Sequence, residues 1–482
     1  AIVDCPPTVM QKPLASVFAV LAVTAAASAQ LDRYELGLRL RAYEERLGAS
    51  TDQERTAASL RELDRAVQAF FRFDLVAVAR AVDAADRRLL AAAPDAATAF
   101  ARSLRLATAA RLCDPQAGPV AFTLAVAFPS EVACPEGLVL DVALDGDRAP
   151  RASVPVRELP CSGELPLTDA ALGDRTLAWT LRVGDRVLLQ RRQGLSLAKD
   201  LAARLAALAS ATAEKPTNGS LEAATAPLLG KQLETMTGPK PEETVLPGAR
   251  LLADAEAMLV ANGKGEPFFG PERAGEHWLR VPLRRGAATV RLLVPKAGEP
   301  ETKRPLVLAM HGAGGSENMF FDSYGAGAIV ALCASRGWYL AAPRSELLGS
   351  YDAPQLVDAL AARWPIDTAR VLLVGHSMGA GQAASAAARA PERFAAVALL
   401  GGGGGIGKGQ GLAGRPFFVG AGERDFGRGG ALSLHKALGK AGADVRWHEY
   451  KDVEHLAVVQ FALPDVFAFF DRALQPKAEA GK

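Results

Sequence analysis

The C-terminal part of the chain predicts an α/β fold, a mostly parallel sheet covered by helices on both faces, and three observations carry that prediction. From about Pro267 to residue 475, apolar runs short enough for buried strands alternate with helical segments. One of those runs, Val371-Leu372-Leu373-Val374, leads straight into Gly375-His376-Ser377-Met378-Gly379 and then an Ala-rich helical stretch. The residues before Pro267 follow other periods, so the sheet has its own boundary. The expected order is a leader with an upstream extension (1–29), a helical domain (30–116), a small β-sandwich-like domain (117–195), a helical linker region (196–266) and the sheet domain (267–475).

Composition narrows the function classes. Lys and Arg number 55 against 53 for Asp and Glu, a net charge of +2, which gives no electrostatic reason to expect nucleic acid or an anionic membrane as partner. Met10 to Gln30 has one basic residue, a short apolar core and Ala27-Ser28-Ala29, which fits cleavage of an export leader. Met10 is the more natural start, and a periplasmic or secreted protein is expected, with no integral membrane segment once the leader is removed. In an oxidising compartment Cys134 and Cys161 are the preferred disulfide pair, with Cys113 a competing partner and Cys333 a buried thiol.

Taken in order, Leu36 to Leu47, the stripe Leu60, Leu63, Val67, Phe70 and Phe71, and Thr98 to Leu112 read as helices. Their apolar faces are expected to be buried within their own domain; the sharper reading makes them an oligomer or partner-docking surface. At Pro119 the period becomes two: Val120, Phe122, Leu124, Val126 and Phe128 alternate with small residues. Hairpin signals follow at Asp145-Gly146 and Gly184-Asp185. Ala198 to Ala213 and Leu221 to Met236 return to helix, with Lys215 to Gly219 and Gly238 to Glu242 as linker-like punctuation.

The chemistry lies in three pieces of the sheet domain. Gly-x-Ser-x-Gly between a strand and a helix is a nucleophile elbow: the sharp turn exposes Ser377, and Gly375 and Gly379 must be small to let backbone pass. His311-Gly312-Ala313-Gly314-Gly315 follows the strand Leu306 to Met310, and a loop poor in side chains brings N–H groups close to a developing oxyanion. Ala313 and Met378 are the expected donors, with His311 bracing the loop. After Pro416 to Gly420 comes Glu423-Arg424-Asp425, where Asp425 is the expected orienting acid and Glu423 the reserve. His455 stands after the last strand and is the expected base, so the chain order is Ser, Asp, His.

Two look-alikes are set aside. Gly402 to Lys408 fits Gly-x4-Gly-Lys, but Gly409 replaces the Mg²⁺-binding hydroxyl and no helix follows. His448-Glu449-Tyr450-Lys451-Asp452 lacks the second histidine of a zinc site. Neither metal nor cofactor is expected. Because Gly401 to Gly414 is only a glycine-rich loop, an open cleft without a helical cap is expected.

With these motifs in view, the chain resembles the α/β-hydrolase superfamily. His311 to Gly315, Asp367-Thr368-Ala369-Arg370-Val371 running into Gly375 to Gly379, and Gly422-Glu423-Arg424-Asp425 are similar to its secreted esterase branch, which includes polyhydroxybutyrate-depolymerase-like, feruloyl-esterase-like and dienelactone-hydrolase-like proteins. The resemblance implies Ser377, Asp425 and His455 as a catalytic triad that cleaves carboxylic esters through an acyl-enzyme, on a small-molecule or polymer-linked ester. A serine peptidase of the prolyl-oligopeptidase type and a non-catalytic binding protein on the same scaffold are the competing readings.

Overall fold

A computed structural model describes residues 31–213, 219–239, 243–296, 302–345 and 351–475. The expected leader lies outside these residues. Within the described residues, no helix is long and apolar enough to cross a membrane.

The first four helices are α1 (Arg33–Ala49), α2 (Gln53–Phe71), α3 (Leu75–Arg88) and α4 (Ala96–Arg102). Each is opened by an aspartate, Asp32, Asp52, Asp74 and Asp95, whose carboxylate accepts an otherwise orphaned N–H of the first turn. The expected helix over Thr98 to Leu112 ends early. The chain leaves α4 after Arg102 and enters a strand, β1 (Leu104–Thr108), that pairs antiparallel with β3. This partner lies at Val120–Val126, so the register is set by a non-local pairing that the helix-like pattern does not carry.

The β-rich part comprises β1, β2 (Leu112–Cys113), β3 (Val120–Val126), β4 (Leu138–Leu144), β5 (Ala152–Pro155), β6 (Cys161–Leu165), β7 (Gly173–Val183) and β8 (Arg186–Leu197). They form a three-stranded sheet, β1-β3-β6, and a five-stranded sheet, β2-β8-β7-β4-β5. The inward positions of both sheets, Leu106, Phe122 and Leu124 on one and Leu140, Val142 and Trp179 on the other, share one core. Such two-sheet packing follows from alternation of apolar and polar residues. The expected Cys134–Cys161 disulfide is absent: Cys113, Cys134, Cys161 and Cys333 are all free thiols. Cys161 is held in β6 opposite Leu124, whereas Cys134 lies in a loop with its sulfur toward the Val156 carbonyl.

Helices α5 (Leu201–Thr212), α6 (Leu221–Met236) and α7 (Gly248–Lys264) precede the large sheet. Its strands are β9 (Gly275–Pro282), β10 (Ala287–Val294), β11 (Arg304–Met310), β12 (Tyr339–Pro343), β13 (Ile366–His376), β14 (Ala396–Leu400), β15 (Pro416–Gly422) and β16 (Asp444–Tyr450). They are ordered β16-β15-β14-β13-β11-β12-β10-β9. All neighbours from β12 to β16 are parallel; β9 and β10 are antiparallel at one edge. This is the α/β class the sequence predicts. Leu306, Leu308, Val371 and Leu373 face one core, and Val307, Ala309, Leu372 and Val374 the other. Because both faces are covered, the strands read as unbroken apolar runs.

The remaining helices are α8 (Met319–Asp322), α9 (Ala328–Arg336), α10 (Ala353–Ala361), α11 (Met378–Arg389), α12 (Arg428–Lys440) and α13 (Val458–Ala473). The stripe of the N-terminal helices meets this sheet domain. Tyr43, Leu60, Leu63 and Val82 belong to the same buried cluster as Val307, Val374 and Val458. Their apolar face is therefore covered by the C-terminal region of the same chain, not within a separate helical domain.

Candidate active site

The elbow is held by close backbone approaches. Ser377 has φ +56° and ψ −116°, a conformation that side chains rarely adopt. A Cβ on Gly375 would lie 2.2 Å from the Gly379 carbonyl oxygen, and one on Gly379 would lie 2.0 Å from that of Met310. The two glycines are thus required by contact with the elbow and with β11. The Ser377 N–H donates to the Leu400 carbonyl at 2.8 Å, tying the turn to β14. The glycine run after β14 packs in the same way: a Cβ on Gly402 would meet the Ser377 carbonyl oxygen at 2.2 Å.

Three side chains from separate strand ends converge here. His455 Nε2 is 2.9 Å from Ser377 Oγ, and its Nδ1 is 2.6 Å from Asp425 Oδ1. The same carboxylate oxygen accepts the Gly427 N–H at 2.6 Å. Asp425 and His455 are buried. Glu423, the reserve acid, is exposed and turned away, accepting the Asp452 N–H at 3.1 Å. The arrangement can pass a proton from the serine hydroxyl to the imidazole, with the carboxylate fixing the ring's tautomer.

Opposite the hydroxyl lies the loop after β11. A Cβ on Gly312 would stand 3.2 Å from the Ser377 Cβ, which measures how closely this loop covers the nucleophile. The Gly312 N–H is already used, donating to the Tyr324 hydroxyl at 3.1 Å. Ala313 is next along the loop and lines the same cavity as Ser377. Met378 opens α11, where a first-turn N–H has no intrahelical acceptor. His311 bridges the loop: its Nε2 accepts the Ser345 N–H at 2.9 Å, so Nδ1 carries the proton and donates to the Gly312 carbonyl at 2.8 Å. Burial holds this imidazole neutral by lowering its pKa.

His376 and Tyr324 complete a brace that sequence reasoning missed. His376 Nε2 donates to the His455 carbonyl at 2.8 Å, which leaves Nδ1 bare to accept from the Tyr324 hydroxyl at 2.7 Å. Burial first, then the neighbouring His455, drives the His376 pKa well down and keeps it neutral. One phenol thus joins the loop over the nucleophile, the elbow and the turn that carries His455. Tyr324 is itself followed by Gly325 and Ala326 at positive φ, and the Ala326 N–H donates to Glu44 Oε2 of α1 at 3.0 Å. No local pattern marks Tyr324; only the fold brings it to His376.

The cleft is roofed, contrary to the expected open one. Ser377, His455 and Gly312 to Gly315 line a cavity of about 150 Å³ whose other wall comes from α1, α2 and α3. Leu36, Leu63, Val67, Phe70, Val78 and Val82 supply that wall. Phe70 presses on the loop at Gly314, whose φ is +77° and where a Cβ would come within 2.9 Å of the ring. Arg33 of α1 donates to the Gly314 carbonyl. The roof comes from the N-terminus and not from an insertion after β14, which is why the short glycine loop gave no sign of it. Beside it, the Phe426 ring lies 3.9 Å from that of His455 and makes an edge contact with Phe71.

Among the described residues, no group of three or more His, Cys, Asp or Glu side chains is arranged to hold a metal. His448 packs on Tyr450 and Glu449 pairs with Arg428, and neither lines the cavity that holds Ser377.

No protein-family model matches the sequence, and no curated protein sequence matches it. Among solved structures the chain is similar to a thermostable esterase, at 22% identity and TM-score 0.35 over 41% of this chain and 62% of that one. It is also similar to a feruloyl esterase module from Clostridium thermocellum, solved with sinapinate, at 13% identity and TM-score 0.36 over 43% and 91%. A third is an S-formylglutathione hydrolase from Staphylococcus aureus, at 12% identity and TM-score 0.33 over 42% and 98%.

Proposed function

We propose that the protein is a serine hydrolase of α/β-hydrolase type that cleaves carboxylic esters. The observation that carries this reading is the hydrogen-bonded line from Ser377 Oγ through His455 to Asp425 at an elbow whose serine is backbone-strained. His455 takes the hydroxyl proton as Ser377 attacks the carbonyl carbon, and the tetrahedral oxyanion forms toward the N–H groups of Ala313 and Met378. Collapse expels the alcohol, protonated by His455, and leaves an acyl-enzyme. Water, deprotonated by the same imidazole, attacks that ester, and the acid departs with the serine hydroxyl restored.

The apolar wall facing Ser377 supports an ester over a peptide. A peptide would bring N–H and C=O groups into a chamber with few partners for them, and an unpartnered buried amide is costly. The test is turnover of p-nitrophenyl butyrate with labelling by a fluorophosphonate probe. Ser377→Ala and His455→Ala are each expected to lower kcat by about 10⁴-fold or more, with little further loss in the double variant. Labelling that persists in Ser377→Ala, or turnover of acyl-peptides but of no simple ester, would refute the reading.

A further inference from the structure

We propose that the chamber beneath α1–α3 is an acyl-chain site, so that the substrate class is esters of aliphatic acids with chains well beyond acetyl. The proposal rests on Ser377 acting as the nucleophile of an ester hydrolase and specifies what the N-terminal helices contribute to it.

The wall opposite the nucleophile is apolar: Leu36 from α1, Leu63, Val67 and Phe70 from α2, and Val78 and Val82 from α3. These residues are buried among helices that also form part of the core, so the chamber is built into the fold and is not a surface crease. The charged groups that border it are already paired, Arg33 with Glu243 and Asp322 with Arg291, and present no free charge to an ionic substrate. Its volume is about 150 Å³, that of an apolar cavity able to take a benzene-sized group, which is more than an acetyl methyl fills.

The direction of the ester follows from the two sides of His455. The leaving oxygen must lie at His455 Nε2 to receive its proton. On that imidazole rests Phe426, whose side chain is 62% exposed, so the alcohol has solvent within reach. The acyl part stays bonded to Ser377 after the alcohol has left, and the roofed side of the hydroxyl is where it gains from burial. A fully buried methylene is worth about 0.8 kcal/mol, or roughly a fourfold gain in kcat/KM at most.

The experiment uses the full chain with two series of esters. In p-nitrophenyl esters from acetate to dodecanoate, kcat/KM is expected to rise by at least about 30-fold between acetate and octanoate. In alkyl acetates from ethyl to octyl it is expected to change by less than about threefold. Val67→Phe fills the chamber and is expected to cut the octanoate-to-acetate ratio by about tenfold or more. Phe70→Ala enlarges it, is the safer variant for folding, and is expected to raise the dodecanoate-to-octanoate ratio. Ser377→Ala gives a readout without turnover: calorimetry with methyl octanoate should show binding with a negative heat-capacity change. Preference for acetate, or a gain along the alcohol series instead, would overturn the acyl-site proposal while leaving the esterase reading intact. If no ester turns over, the esterase reading fails, and the calorimetry decides the chamber alone: bound methyl octanoate supports it and no binding overturns it.

Discussion

Ser377 lies between two regions that contribute in different ways. From the sheet side come the groups to which the proposed mechanism gives the handling of charge: Asp425 after β15, His455 after β16, Ala313 after β11, each at the carboxyl end of a parallel strand. From the other side come α1, α2 and α3, which contribute an apolar wall and no member of the proton relay. Proton transfer needs atoms held within a few tenths of an ångström, which strand ends anchored in a two-sided core provide. Chain recognition needs shape and apolar area, which helix faces provide and can vary without disturbing the strands. The difference teaches that changes on the sheet side should lower kcat for every ester alike, whereas changes on the roof should reorder esters.

The strongest break of that contrast is Asp425→Asn. The amide cannot accept as the carboxylate does, and it favours the wrong imidazole tautomer at His455. Loss of about 10³–10⁴-fold in kcat is expected for short and long esters equally, with KM little moved. Glu423→Gln, two residues away but exposed, is expected to change kcat by less than about twofold. Steady-state kinetics on acetate and octanoate esters checks both, and a loss confined to one chain length would erase the division between the two regions.

A second prediction concerns the seam, where two acids are buried. Glu454 accepts the N–H groups of Leu456 at 2.7 Å and Ala457 at 2.5 Å, and Glu44 on α1 lies near enough for each to disfavour the other's charge. Burial first, then Asp425 and Asp64, raises the Glu454 pKa to about 8. A carboxyl raised in this way binds its proton more tightly in the folded state than in the unfolded chain. Its contribution to stability is therefore full below the ordinary value of 4.5 and is lost as pH climbs from there to about 8. Glu454→Gln should remove part of that slope, stabilising the protein at pH 8 by on the order of 1–3 kcal/mol relative to its effect at pH 5. Urea unfolding at the two pH values measures it. An unchanged slope would mean that the seam carries no proton of this kind.

Much of the sheet side is legible in the sequence because its physics is local. A fully buried parallel strand must be a short apolar run, and an elbow must place glycine at residues 375 and 379, so Ser377 can be read directly. Asp425 and His455 follow from their places after the last strands. The roof is legible only in part. The stripe Leu60 to Val67 announces a helix, but period alone does not say which surface will cover it, and here the cover is the C-terminal half of the same chain. Leu104–Thr108 was hidden for a related reason. Arg105 interrupts its apolar residues, and its partner Val120–Val126 comes only after β2 and a further short helical turn. Tyr324 and Glu44 carry no signature at all, since their roles exist only once α1, the elbow and the loop after β11 meet.

Tyr324→Phe tests that meeting point with the smallest change. The ring keeps its edge contacts with Phe320 and His376, so packing is conserved. What disappears is one oxygen, which takes the Gly312 N–H and gives its proton to His376 Nδ1. Gly312 is then left with a buried unsatisfied donor, costing about 1–3 kcal/mol of stability. His376 loses its partner at Nδ1, so the bond from Nε2 to the His455 carbonyl is left to orient the ring alone. Because the phenol acts on the loop and the base but not on the apolar wall, kcat should fall by about tenfold for all esters, with the octanoate-to-acetate ratio unchanged. If the ratio shifts while kcat holds, Tyr324 belongs functionally to the chamber, and the boundary between chemistry and recognition runs on the other side of it.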